Sequence, residues 1–262
     1  MIKLIIFDLD GTLYLGDKLR NGTFNLLNNL YNKNINHVYY TNTSSKSKNR
    51  VINKLKRHGI NVSNDMVYTN QDAIKMFFRE DKFTASLFIN SASENLISET
   101  LKETKIKIIT DINSFRNIDF YLQCSNENFS YNDLEIAYNI IKSGACFLAT
   151  DDEPLYLTKE KKHKPATGWI VAAIEKVTGT SATIIGKPNT MLLNEIVNKY
   201  NCKNDEVLIV GDSLHTDIKM GAAFGCKTGL ALEGVTLEKD IDFSKLKPDF
   251  VINDMDEVLN IL

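Results

Sequence analysis

Proline and cysteine are scarce in this chain: 262 residues carry only 4 of each, and glycine only 13. There is accordingly no Gly/Ser-rich or Pro-rich linker, and no self-similarity at a period of roughly 20 to 50 residues marks a repeat array. Domain boundaries must be read from the order of elements. Cys124, Cys146, Cys202 and Cys226 lie far apart, with no CxxC pair and no histidine at ligand spacing, which argues against a disulfide framework or a cysteine-built zinc site. Reduced, half-buried small hydrophobes are expected. No apolar run approaches the ~18 residues of a transmembrane helix. The run Met1 to Phe7 meets an acid at Asp8, too early for a signal peptide, so a cytoplasmic protein is expected. An excess of one charge is missing too: 31 Lys and Arg against 33 Asp and Glu leave a formal net charge of -2. No broad positive field exists to draw a nucleic-acid backbone or an anionic membrane, and any anionic ligand must be held locally.

What is present is an ordinary globular composition, 43% hydrophobic and 24% charged, in a chain long enough for a large core. Leu4 to Phe7, His37 to Tyr40, Val207 to Val210, Gly229 to Leu232 and Phe250 to Ile252 are short apolar runs ending at polar or glycine residues. Such runs read as strands covered on both faces, as in a parallel sheet. Amphipathic stretches alternate with them, among them Val51 to His58 and Met191 to Tyr200, and the alternation predicts an α/β fold. From Phe83 to Thr183 the chain has its own strand candidates, Ser86 to Ile89, Ile106 to Ile109, Phe120 to Leu122 and Cys146 to Ala149, with helices near Leu96, Ile136 and Ile170. This segment is long enough for a second small domain inserted between two halves of the first; the alternative is one continuous large sheet.

Four signals carry chemistry. The first strand ends in Asp8-Leu9-Asp10-Gly11-Thr12, placing two carboxylates where ligands bind in open α/β sheets, with Gly11 letting the chain turn sharply and present amides. A second run ends in Gly211-Asp212-Ser213, followed by Thr216 and Asp217; a third strand-end carboxylate supplies the hard oxygens that Mg²⁺ requires. Thr41-Asn42-Thr43-Ser44 offers hydroxyl and amide donors for phosphate oxygens, and Lys187 in Gly186-Lys187-Pro188 offers a point charge for the same anion. Each signal alone has a plain reading as a turn, a helix cap or a surface lysine. Their combination in this order does not.

Taken together, Asp8-x-Asp10-Gly11-Thr12, Thr41, Lys187 and Gly211-Asp212-x4-Asp217 resemble the motif series of the haloacid dehalogenase (HAD) superfamily phosphatases. The insertion of about 100 residues, with Thr41-Asn42 and Gly186-Lys187-Pro188, resembles the NagD-like class IIA branch, and the resemblance spans nearly the whole chain. The resemblance implies a Rossmann-like parallel core of residues 1–82 and 184–262 and an inserted α+β C2-type cap at 83–183. It implies that Asp8 is nucleophile and metal ligand, that Asp10 is general acid and base and binds metal through its carbonyl, and that Thr41, Asn42 and Lys187 hold the phosphoryl group. Asp212 then completes a Mg²⁺ site, with Gly11, Thr43, Ser213 and Asp217 in support. Thr43 stands where the branch often has a second Asn, and Ser213 where it often has Arg. The implied partner is a small phosphorylated metabolite, such as a sugar phosphate or nucleoside monophosphate, with neither nucleic acid nor membrane involved. The resemblance also admits a homodimer paired through the cap. A phosphotransferase or mutase using the same phosphoaspartate, or a non-catalytic phosphate-binding module, are the alternatives.

Other features have plainer explanations. Gly179 to Gly186 followed by Lys187 lacks the spacing and the Ser/Thr of a P-loop. The run Lys159-Glu160-Lys161-Lys162-His163-Lys164 reads as a solvated loop, with contact to an anionic substrate as its functional alternative. His37, His58, His163 and His215 form no ligand set. Trp169 is expected to pack under a cap helix, and specificity is expected from Phe129 to Tyr131 and Asp151 to Thr167.

Overall fold

The computed structural model describes residues 1–79, 84–110 and 117–262. Its first sheet has six parallel strands in the spatial order Phe250–Ile252, Lys227–Ala231, Val207–Gly211, Leu4–Phe7, Asn36–Thr41, Val67–Thr69. The apolar runs are unbroken because both faces are covered. Leu4 and Ile6 point into one buried cluster and Ile5 and Phe7 into another, and Val207 and Ile209 alternate in the same way with Leu208 and Val210. Helices Thr23–Asn32 and Lys48–Arg57 cover one face through Leu26, Leu30, Val51 and Leu55. Helices Asn70–Phe77 and Met191–Lys199 cover the other through Ile74, Leu193 and Ile196.

The second sheet has five strands, Thr183–Ile184, Cys146–Ala149, Phe120–Gln123, Ala85–Asn90 and Ile106–Ile108, and every pairing in it is parallel. Antiparallel pairing beside it is confined to a hairpin, Leu155–Leu157 with His163–Pro165. Among the described residues two separate large sheets, rather than one continuous sheet, therefore form the frame, beside two small two-stranded ones. The expected crossing at 82–83 lies outside the described residues. The one at 183/184 passes through a strand, since Thr183 and Ile184 pair with Leu148 and Ala149, so the chain leaves the second sheet only after Ile184. No break in the core marks the junction. One apolar cluster runs from Leu4, Ile6 and Ile209 through Ala73, Ile74 and Phe78 to Leu87, Ile97, Leu122 and Leu148 of the second sheet. The rings of Phe78 and Phe120 meet edge-on at 5.4 Å across it.

The register sets the site. Phe7 lies opposite Tyr39 on one side and Val210 on the other, so the strands carrying Asp8, Thr41 and Asp212 end at one rim. The chain turns to opposite sides of Leu4–Phe7 in its two halves, which makes this rim the topological switch point where ligands bind in such sheets. Cysteine placement departs from expectation: Cys124 and Cys226 are buried, Cys202 is intermediate and Cys146 is exposed, because it begins its strand at the sheet's open end. Among the described residues no helix is long and apolar enough to cross a membrane. Ile209, buried at the centre of the first sheet, provides a test of this packing: Ile209→Ala should lower unfolding free energy by about 2–5 kcal/mol, read as a lower urea midpoint at unchanged m-value.

Candidate active site

At that rim the ammonium of Lys187, only 2% exposed, lies 2.7 Å from Asp8 Oδ1, 2.7 Å from Asp217 Oδ1 and 3.2 Å from the Tyr40 carbonyl. Thr12 Oγ1 donates to Asp8 Oδ2 at 3.2 Å, the Ser213 N–H to Asp217 Oδ2 at 3.2 Å and the Val235 N–H to Asp212 Oδ2 at 2.7 Å. Asp8, Asp212 and Asp217 bring carboxylate oxygens within 4.8 Å of one another. Glycines make that density possible. A Cβ on Gly11, whose φ is +92°, would stand 2.0 Å from Asp212 Oδ2, and one on Gly211 would stand 2.1 Å from the Asp217 carboxyl carbon. The Gly11 amide is not presented to a ligand as expected, because it closes the turn by donating to the Tyr14 carbonyl at 2.9 Å.

Three buried carboxylates against one ammonium leave an excess of two negative charges. Burial pushes the Asp8 carboxyl up to about 6 against the opposing pull of Lys187, and burial together with Asp8 and Asp217 raises Asp212 well above the carboxylate range. Burial would lower Lys187, but Asp217 and Asp8 outweigh it and hold the ammonium charged. Hard oxygen donors with two charges to neutralise fit a divalent cation such as Mg²⁺. Asp217, engaged by both Lys187 and Ser213, stands as the support of this group.

Asp10 projects elsewhere. Its side chain is 52% exposed, with Oδ1 held by Lys54 Nζ at 3.0 Å and Oδ2 near the Tyr14 hydroxyl at 3.4 Å. Thr41, Asn42 and Thr43 line the same cavity, of about 820 Å³, as Asp8, Lys187 and Asp212. The Asn42 side chain donates to the Lys187 carbonyl at 3.0 Å and accepts from the Lys187 N–H at 2.9 Å, which fixes the Lys187 backbone and leaves its second amide N–H uncommitted by these bonds. Asn70 and Gln71 hold the following loop through the carbonyls of Asn42, Ser44 and Lys46.

The segment after strand Cys146–Ala149 closes over the cavity. Ser213 Oγ, at the position where the resembling branch often has Arg, donates to Glu153 Oε1 at 2.7 Å, and burial pushes Glu153 up to about 7. Lys159 pairs with Asp17 at 3.0 Å, Lys161 with Glu233 at 3.6 Å, and His163 Nε2 lies 3.2 Å from the Val235 carbonyl. The lysine run is exposed, as expected, yet it is also ion-paired to Asp17 and Glu233, in the part of the chain built on the first sheet, and Lys159, Glu160 and Lys164 line the cavity. His215 Nε2 lies 2.9 Å from Asp152 Oδ1. Trp169 does not pack under a helix: it begins helix Gly168–Thr178, 42% exposed, edge-on to Phe129 in the cavity wall. Sequence reasoning missed Tyr14, Lys54 and the Asn70-Gln71 pair, and it gave Glu153 only a neighbourhood. Asp151 is buried beside it, accepting from Thr150 Oγ1 at 3.0 Å, and burial pushes its carboxyl up to about 6.

A model of haloacid dehalogenase-like hydrolases matches residues 5–107, and a HAD-hydrolase-like model matches residues 184–258. The chain belongs to the haloacid dehalogenase-like hydrolases, in their NagD-like branch. It is similar to an acid sugar phosphatase of Staphylococcus saprophyticus, 28% identical over 99% of this chain and 98% of the relative. The structure of a 4-nitrophenylphosphatase from Thermotoga maritima superposes with a TM-score of 0.83 at 30% identity, covering 99% of this chain and 97% of that one. NagD from E. coli K-12 gives 0.80 at 26% identity, covering 98% of each.

Asp151 yields a pH-dependent expectation. Its proton is held more tightly in the native chain than in the unfolded one, so its contribution to stability is full below about pH 4 and is lost as pH rises through about 6. Asp151→Asn keeps an acceptor for Thr150 without that loss. Relative to wild type it should melt at higher temperature by pH 7.5, by on the order of 1–3 kcal/mol, with the gap closing toward pH 4; a pH-independent difference would contradict the account.

Proposed function

We propose that the chain is a Mg²⁺-dependent phosphomonoesterase that hydrolyses small phosphate esters through a phosphoaspartate on Asp8. The observation that carries this reading is the Lys187 bridge between Asp8 and Asp217, with Asp212 beside it, at the floor of a cavity at the sheet's switch point. Residues 1–82 and 184–262 then act as core and 83–183 as cap, with Ile184 still paired in the cap's sheet.

Asp8, Asp212 and the Asp10 carbonyl would hold the cation, which when bound neutralises their charge and that of the phosphoryl oxygens. Lys187 and Thr41, with the loop at Asn42 and Thr43, hold the remaining phosphoryl oxygens, so that two anions approach without prohibitive repulsion. An Asp8 oxygen forms its bond to phosphorus as the bond to the leaving oxygen breaks, and Asp10 delivers a proton to that oxygen. Asp10 then takes a proton from the water that hydrolyses the phosphoaspartate, returning Asp8 and inorganic phosphate. Similarity over the full chain to an acid sugar phosphatase supports sugar phosphates as substrates, and the cavity of about 820 Å³ has room for them.

The test is phosphate release from 4-nitrophenyl phosphate and a panel of sugar phosphates. EDTA should abolish it and Mg²⁺ restore it, while Asp8→Asn should lower it about a thousandfold or more. Activity that survives either treatment overturns the mechanism.

A further inference from the structure

We infer that Lys54 is a positioning residue that aims the proton donor Asp10 at the leaving-group oxygen; the inference rests on the phosphatase reading above. The backbone at Asp10 is fixed by the Gly11 to Tyr14 bond and by the Thr12 and Leu13 amides, which donate to the Leu9 carbonyl. Its carboxylate is not fixed by the buried acids. It reaches outward into the cavity wall, where an unrestrained aspartate would sample several rotamers and spend little time aligned for proton transfer.

Two donors remove that freedom, one on each oxygen. Lys54 comes from helix Lys48–Arg57, with its side chain only 18% exposed, and places Nζ 3.7 Å from the centroid of the Tyr14 ring and 3.0 Å from Asp10 Oδ1. The ring is itself immobile: Tyr14 is buried and stacks on His58 at 5.4 Å. Its hydroxyl reaches the second carboxylate oxygen, Oδ2, at 3.4 Å. Lys54 thus spans a fixed aromatic face and a movable carboxylate, and Lys54 and Asp10 line the cavity that also holds Asp8 and Asp212. The helix does not need this contact. Val51, Ile52 and Leu55 are buried under it, and Ser47 caps its N-terminus by accepting from the Arg50 N–H. A pair whose acid is half exposed adds little to stability.

The consequence is specific to leaving-group chemistry. A nitrophenolate departs as a stable anion, whereas a sugar alkoxide must gain a proton as its bond to phosphorus breaks. The kcat/KM value reports the steps through leaving-group departure and so isolates Asp10 as acid from its later role as base. Lys54→Met should lower kcat/KM about 10- to 100-fold for the best sugar phosphate of the panel, and by less than about threefold for 4-nitrophenyl phosphate. Asp10→Asn should show the same split, the double variant should lose nothing more on the sugar phosphate, and Lys54→Arg should restore most of the rate. Lys54→Gln, which keeps the stem and a donor without the charge, is the second variant should Lys54→Met fold poorly. Equal losses on both substrates would assign Lys54 to substrate binding, and no loss would make the pair incidental; either overturns the inference. Wild-type activity that persists in Asp8→Asn would instead sink the underlying phosphoaspartate mechanism, and a wild type that releases no phosphate from any ester would sink the phosphatase reading; both are distinguishable failures.

Discussion

The Lys187 ammonium between Asp8 and Asp217 is the contact on which the remainder of the site depends. Three carboxylates cannot be withdrawn from water side by side unless positive charge enters with them, and breaking such a buried pair costs about 3–5 kcal/mol because it strands the partner. The surrounding sequence serves that placement. Asn42 grips the Lys187 backbone on both sides, the Tyr40 carbonyl takes a third ammonium proton, and glycines at 11 and 211 let the acids come close. With all three acids ionised, Lys187 would leave two negative charges uncompensated, a balance that one divalent cation would match.

Much of this was legible in the chain. Strands covered on both faces announce themselves as unbroken apolar runs, and all five expected runs of the first sheet are strands within a residue or two of where they were placed. The strand-end acids and Lys187 are legible because they stand in motifs whose order is informative, and the structure brings Asp8, Lys187, Asp212 and Asp217 to one rim. Lys54, Tyr14 and Glu153 were not, for a physical reason: each belongs to a helix, hairpin or loop whose local pattern is accounted for by packing or solvation, and only tertiary contact brings it to Asp10 or Ser213. Trp169 misled for a related reason. A lone indole suggests burial, but near the start of a helix that borders a cavity it becomes wall.

The two sides of the cavity are held by different forces. Over its mouth, Lys159 with Asp17, Lys161 with Glu233, His163 with the Val235 carbonyl and Glu153 with Ser213 are mostly exposed polar contacts that water can replace. Behind it, Ile74, Phe78, Leu87 and Leu122 share one apolar cluster that water cannot enter without large cost. Substrate access therefore falls to the polar side, where separation exchanges one set of hydrogen bonds for another.

Helix Asn70–Phe77 belongs to both arrangements. Asn70 and Gln71 at its start hold the loop beyond Thr41, while Ala73 and Ile74 lie in the core shared by the two sheets. A second sheet joined to the first in this way is not an exchangeable cassette. Recombination that swapped it for a foreign one would leave a hydrophobic scar on this helix and disturb the loop at its other end.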